Sequence, residues 1–395
     1  MATSSDYKLW NRDFVLLFAS SLLVWISFYF LIPTLPSYIE NHLHGTPTQI
    51  GLVSSMLTLG AIVARPLAGY ALDRWGRRGI QLAFLALFCV AAFSYHFATS
   101  IWILMAIRLL HGLPFGGATT ALTTVASDVV PPARRGEGLG YFGLSNNLAM
   151  AIGPAIALSL FRPGQYSMLF TGGGLVAVGA LLLGWIVRYP TIRDPGATFS
   201  LTSLLERRVG WLSLGTLLLY ASYGGVITFI TLYAVEQGIA RAGWFFSIYA
   251  LGLVLSRPVS GRLFDRQGPN WTIAAGLALM ILSYFTLGSW RTEPGYLLAA
   301  FLLGLGSGAT GPTVLAMAVN LVPPDRRGAA NATVGTAIDV GIGGGSTLLG
   351  AVAQAVGSYA TMFLVAGASL LLPALIFALK VLPHYALACE QASSE

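Results

Sequence analysis

The sequence predicts an all-α membrane protein with twelve transmembrane helices arranged as two pseudo-symmetric six-helix bundles. Three observations carry that prediction. Charged residues make up 9% of the 395 and apolar residues 55%, with a mean hydropathy of +0.73, whereas a soluble globular chain carries roughly 25% charge. Twelve segments approach the ~20 mainly apolar residues that a helix needs to cross the hydrocarbon. A set of landmarks also recurs at one fixed offset, so that Asp73 returns as Asp265, 192 residues later.

The repeat fixes the organisation. Arg65-Pro66 returns as Arg257-Pro258, Gly112 and Gly116 as Gly304 and Gly308, and the Val130–Gly136 segment Val-Pro-Pro-Ala-Arg-Arg-Gly as the Val322–Gly328 segment Val-Pro-Pro-Asp-Arg-Arg-Gly. One offset across separated landmarks means two homologous halves. The expected spans are 14–38, 47–71, 79–98, 101–125, 137–161 and 166–188, then 210–235, 242–264, 271–289, 295–320, 328–355 and 359–381. The first half is therefore 1–188 and the second 210–395, with a short tail. The 189–209 linker is too short for a soluble domain, and a short amphipathic helix on the membrane surface would fit it. The first apolar run is too long for a signal peptide and reads as a span. Cys89 and Cys389 lie too far apart in this plan to suggest a disulfide.

Charge placement predicts orientation. Of 22 Lys and Arg, 16 lie in segments on the side of the N-terminus, three (Arg162, Arg241, Arg291) on the opposite side and three (Arg65, Arg108, Arg257) within spans. Basic residues favour the cytoplasmic side, so both termini are expected there, in the plasma or inner membrane. The net charge of +7 forms no continuous stripe, which argues against a nucleic-acid partner and leaves the bilayer. The chain has no Gly-x4-Gly-Lys-Ser/Thr, no clustered metal set and no nucleophile–base pair. No cofactor, metal or enzymatic activity is expected.

The hinge between helices 2 and 3 is the most distinctive motif: Gly69, Asp73, Arg74, Gly76, Arg77 and Arg78. Gly69 and Gly76 allow close packing and a tight turn. Asp73 can accept from a neighbouring helix N-terminus. Arg77 and Arg78 can reach Asp128 at the end of helix 4. The second copy keeps Gly261, Asp265, Arg266 and Gly268 but continues as Pro269-Asn270, so its contacts should be weaker.

Asp339 alone among 15 acidic residues lies near a span centre, in helix 11. An intramembrane carboxylate is a functional candidate by default, here for proton binding; capping or pairing across a helix interface is the alternative. By the repeat it matches Asn147, beside Asn146. Glu40, with His42 and His44 at the outer end of helix 1, is a second candidate that fits a solvated loop face as well. Arg108 and His111, three residues apart on helix 4, share a face within the membrane. The alternative for Arg108 is a structural anchor to backbone carbonyls, and a lone buried histidine such as His111 is more often structural.

Two parallel six-span halves bearing this hinge resemble the major facilitator superfamily, and within it the twelve-span drug:proton antiporter branch, over essentially the whole chain. The resemblance implies that the hinge works as a breakable cytoplasmic latch. It identifies Arg108-Leu-Leu-His111-Gly112 with the family's helix-4 Arg-x-x-Gln-Gly pattern, His111 standing where Gln is usual. It identifies Gly140, Gly153 and Pro154 with the helix-5 packing motif of antiporters, whose other glycines are here mostly Ala. It also implies a central cavity lined by helices 1, 4, 7 and 10. Its lining would include Trp25, Phe28, Tyr29, Asn146, Asn147, Tyr220, Tyr223, Phe229, Thr310 and Met317, although aromatic faces at helical spacing also serve packing. The expectation is a secondary active transporter working as a monomer, a proton-coupled exporter of a small amphiphilic or aromatic solute. An uptake symporter or facilitator for a sugar or carboxylate, or a lipid translocase, would share the fold.

Overall fold

A computed structural model of the chain describes residues 9–131, 134–160, 165–193, 206–323 and 326–394. The described residues form helices and no strand. In order, the long helices are α1 (Arg12–Leu31, resuming as Leu35–Asn41), α2 (Pro47–Trp75), α3 (Arg77–Ser94), α4 (Ile101–Val129), α5 (Arg135–Leu160) and α6 (Tyr166–Ile186). Then come α7 (Gly210–Glu236), α8 (Trp244–Gln267), α9 (Pro269–Ser289), α10 (Glu293–Asn320) and α11 (Arg327–Val356). The twelfth, α12 (Tyr359–Ser369), continues through Leu371–Ile376 and a π turn, Phe377–Val381, into a tail helix, α13 (Leu382–Ser394). The twelve long helices follow the expected spans to within a few residues. Of the 189–209 linker expected to carry a surface helix, residues 194–205 lie outside the described residues.

Local chemistry sets the helix ends. Asn11 Oδ1 accepts from Phe14 N (2.9 Å) and Ser100 Oγ from Ile103 N (3.3 Å), capping α1 and α4. Thr34 Oγ1 donates to Phe30 O (2.7 Å) where Pro33 interrupts α1. At the starts of α3 and α9 the caps are Gly76 (φ 94°) and Gly268 (φ 75°), positions that a residue with a Cβ adopts only at a cost. These glycines are repeat equivalents, so both halves turn on the same device.

Eleven of the helices are long and apolar enough to cross a membrane. Helix α8 falls short of that apolarity; it carries Arg257, Arg262, Asp265 and Arg266. Eight of the nine tryptophans (Trp10, Trp75, Trp102, Trp185, Trp211, Trp244, Trp271 and Trp290) are exposed, and each lies at or beside a helix end. That is the placement of an interfacial aromatic belt.

The chain divides into two compact units. The first comprises Met1–Leu43 and Met56–Phe199, the second His44–Ser55 and Ser200–Glu395. In the first unit α1 packs on α5 and α6, and α3 on α4 and α6, around a core that includes Phe14, Leu17, Phe88 and Phe142. In the second, α8 packs on α10 and α7 on α11, with α9 against α10 and α12. His44–Ser55 joins the second unit through α11. A Cβ at Gly51 would lie 2.3 Å from Ser346 O, and Ser55 Oγ meets Thr347 Oγ1 at 2.6 Å.

The repeat reappears in the packing. A Cβ on Gly112 would come within 2.0 Å of Leu57 O, and one on Gly304 within 2.1 Å of Tyr249 O. Gly116 meets Ala61 as Gly308 meets Leu253. Both members of each contact are displaced by the same 192 residues. Without a hydrophobic drive between helices in lipid, such close backbone crossings supply dispersion contacts instead.

Candidate functional site

The α2–α3 turn gathers one ion network. Arg77 Nη1 donates to Asp73 Oδ1 and Arg77 Nε to Asp128 Oδ2, both at 2.7 Å. Arg77 is buried, so the pairs satisfy a guanidinium that would otherwise be costly to desolvate. Asp73 thus accepts from the side chain of Arg77, at the first turn of α3, where a backbone donor was expected. Arg78 does not share Asp128; its guanidinium lies over the Trp185 ring, 5.8 Å from the centroid. Arg74 and Arg266 are exposed. Among the described residues a Cβ at Gly69 would meet nothing within 4 Å, so Gly69 makes no close helix crossing with them. Gly76 has two constraints, its positive φ and the Arg193 side chain 2.8 Å from where a Cβ would sit. The side chain of Asp265 lies outside the described residues.

Helix α4 buries a second polar group. Arg108 is 3% exposed and His111 fully buried. Their common partner is Tyr95, a residue the sequence reading missed. Its hydroxyl is 2.9 Å from His111 Nδ1, and the Arg108 guanidinium lies over its ring at 5.7 Å. Neither His111 Nε2 nor Arg108 Nε has a hydrogen-bond partner among the described residues. The signal available in the sequence was a tyrosine closing an otherwise apolar helix.

The remaining acid and amide candidates are dispersed. Asp339 is half-buried at the thirteenth residue of α11. Two residues on, Gly341 brings α11 against α7, where a Cβ would lie 2.4 Å from Leu217 O and 3.1 Å from Tyr220 Cβ. Glu40 is exposed, Asn146 half-buried and Asn147 buried. In α5, Gly153 packs against α1, 2.8 Å from Tyr29 Cβ, but a Cβ at Gly140 would meet nothing within 4 Å among the described residues, so the close packing expected at Gly140 is not seen there.

The aromatic candidates separate into two groups. Trp25, Phe28 and Tyr29 cluster with Phe115 of α4; the Phe28 and Phe115 rings stack at 4.6 Å and Trp25 meets Phe115 edge-on at 5.2 Å. Tyr220 and Tyr223 lie 6.0 Å apart, and Tyr223 is 5.9 Å from Tyr249 of α8. Phe229, Thr310 and Met317 are buried in the packing of the second unit. Phe229 stacks on Tyr359, and the Thr310 methyl lies against Gly276. Arg257 lies about two helical turns along α8 from Tyr249, within electrostatic range of Tyr220 and Tyr249.

The Major Facilitator Superfamily model matches residues 17–240 and 212–391. The chain belongs to the Major Facilitator Superfamily. Facilitator proteins are transporters, and this one is a multi-pass membrane protein. It is 24% identical over 344 residues to the staphylopine export protein of Staphylococcus aureus (strain Mu50 / ATCC 700699), covering 83% of this chain and 86% of that one. It is 26% identical over 327 residues to the multidrug resistance protein MdtG of Rahnella sp. (strain Y9602), covering 77% and 78%. In structure it is similar to the nucleoside transporter NupG, with a TM-score of 0.77 at 16% identity over 93% of this chain and 99% of that one. That likeness is one of fold.

Proposed function

We propose that this facilitator is a proton-coupled exporter of a small amphiphilic or aromatic solute. It works by alternating access in the plasma or inner membrane, with both termini cytoplasmic. The observation that carries export is the resemblance, over more than three-quarters of the chain, to one protein named for export and another named for multidrug resistance. Proton coupling is assigned to Asp339, the carboxylate within the length of α11, with Arg108 and His111 modulating it. The Arg77–Asp73–Asp128 network is assigned to the cytoplasmic latch. It would have to break for the cytoplasmic side to open, and two charge-assisted bonds on one buried guanidinium give it a definite closed state. Aromatic surfaces at Trp25–Phe28–Phe115 suit an aromatic solute.

Everted vesicles provide the test. Anilinonaphthalene sulfonate and ethidium serve as fluorescent probes under an imposed proton gradient, acid inside. Uptake of a probe that collapses with an ionophore supports the reading. Uptake that is indifferent to the gradient, or that Asp339→Asn leaves fully gradient-driven, overturns the coupling assignment.

A further inference from the structure

The second unit contains a charged cluster that the transport reading leaves unused. Arg257 is the fourteenth of 24 residues in α8, ~20 Å from its start at the 1.5 Å rise of a helix. A guanidinium at that depth is costly and is rarely kept without a task. Around it the sequence places hydroxyls from three helices. Arg257 lies about two helical turns along α8 from Tyr249, the Tyr249 ring is 5.9 Å from Tyr223 and the Tyr223 ring 6.0 Å from Tyr220, within range for the guanidinium to act on Tyr220 and Tyr249. A Cβ at Gly311 would lie 3.4 Å from the Tyr220 hydroxyl, so that hydroxyl rests against α10.

A further observation points to a ligand. The hydroxyl of Tyr284, fully buried and within electrostatic range of Tyr249, has no hydrogen-bond partner among the described residues. A buried hydroxyl left unmatched costs stability and marks a place where a partner is absent. Arg257, Tyr220, Tyr223 and Ser307 are each only half-buried, so the cluster is not sealed in packing.

The repeat supplies the control. The positions 192 residues before Tyr220, Tyr249 and Ser307 are Phe28, Leu57 and Phe115. The first unit keeps an arginine, Arg65, at the place of Arg257 but fills the equivalent positions with apolar residues, and Phe28 stacks on Phe115. The scaffold therefore does not require hydroxyls at these positions. Their presence in one unit alone is a specialisation for something polar.

We propose that Arg257, with Tyr220, Tyr223, Tyr249 and Ser307, forms an anion-binding subsite in the second unit. It takes the carboxylate or sulfonate head of an aromatic amphiphile. The planar guanidinium pairs with the two oxygens of such a head, and the hydroxyls donate to them. The inference rests on the reading that the chain moves a small amphiphilic or aromatic solute, and it narrows that class to anions.

Calorimetry on the purified full chain in detergent, with naphthoate and its neutral isostere naphthamide, tests it. Wild-type protein is expected to bind naphthoate about tenfold more tightly than naphthamide, the scale of one charge-assisted hydrogen bond. Arg257→Gln should abolish that preference while leaving naphthamide affinity in place. Tyr220→Phe, which removes one hydroxyl and keeps the ring, should weaken naphthoate alone by a few-fold, and it carries the test if Arg257→Gln does not fold. Equal wild-type affinities, no naphthoate binding, or a preference that survives in the folded variants would overturn the subsite. Binding is read without a proton gradient, so failed coupling in vesicles leaves this result standing, and lost discrimination leaves proton-driven export standing.

Discussion

Arg77 Nε lies 2.7 Å from Asp128 Oδ2, and the arginine in this pair is almost wholly buried while the aspartate is 17% exposed. The other partner of Arg77, Asp73, is 54% exposed. The two bonds have equal length and unequal shielding, and water screens the exposed pair more strongly.

Asp128→Asn should therefore cost more than Asp73→Asn. Removing the shielded carboxylate is expected to cost about 1–3 kcal/mol, against about 0–1 kcal/mol for the exposed one. Thermal unfolding in detergent measures both. The double variant should lose more than the two single losses combined, because either carboxylate alone still satisfies part of the same guanidinium. Equal single effects would remove the asymmetry.

Tyr95→Phe takes away the partner of His111 Nδ1 and leaves both ring nitrogens unmatched in a fully buried site. A loss of about 1–3 kcal/mol is expected. Replacing both residues, as Tyr95→Phe with His111→Leu, should cost less than the two single changes combined, because neither partner of the Tyr95–His111 contact is then left without the other. Additive losses in unfolding experiments would refute the coupling.

Gly304→Ala places a methyl group 2.1 Å from Tyr249 O, a backbone atom that cannot rotate away. The helices must separate, at a cost of about 1–3 kcal/mol. Gly140→Ala meets open space and should be neutral or slightly stabilising, as Ala favours the helix by about 1 kcal/mol. The pair is a matched measurement on two helical glycines, one at a close backbone crossing and one with no neighbour within 4 Å among the described residues.

Glu206 anchors the start of α7 to α11. Its Oε1 accepts from Arg208 N (3.1 Å), its Oε2 from Arg326 Nε (2.9 Å), and its own N–H donates to Thr333 Oγ1 (2.9 Å). The Arg208 amide, then the Arg326 side chain, hold its carboxyl below the usual range against the opposing effect of burial. A depressed carboxyl contributes stability that is complete above its unfolded pKa and is lost as pH falls through the folded one. The stability advantage of wild type over Glu206→Gln should be constant near neutrality and shrink below about pH 4.5. Hydrogen exchange at 206–209 across pH reads this directly. An advantage that grows on acidification would contradict it.

The fold was legible because its signals are additive along the chain. Hydropathy marks spans, and a duplicated frame holds its offset whatever happens between landmarks. Gly76 and Gly268 were legible for the same reason, since a positive φ restricts the residue type at one position. Sites were harder because they depend on which faces meet. Tyr95 lies 16 residues from His111, and only the packing of α3 on α4 joins them. Arg257 could be recognised as an intramembrane charge, but its hydroxyl neighbours come from α7, α8 and α10. Gly69 and Gly140 show the converse. A glycine motif states permission for close approach, and only the neighbouring helix determines whether that permission is used.

The tryptophan distribution makes the protein its own optical instrument. Eight indoles sit at helix ends, so their emission would follow the headgroup region and change little with events deeper in the bundle. Trp25 is the ninth, held 5.7 Å from Phe28 and 5.2 Å from Phe115. Bromolipids or aqueous quenchers would silence the eight first, and the light that remains would come from the aromatic cluster of the first unit.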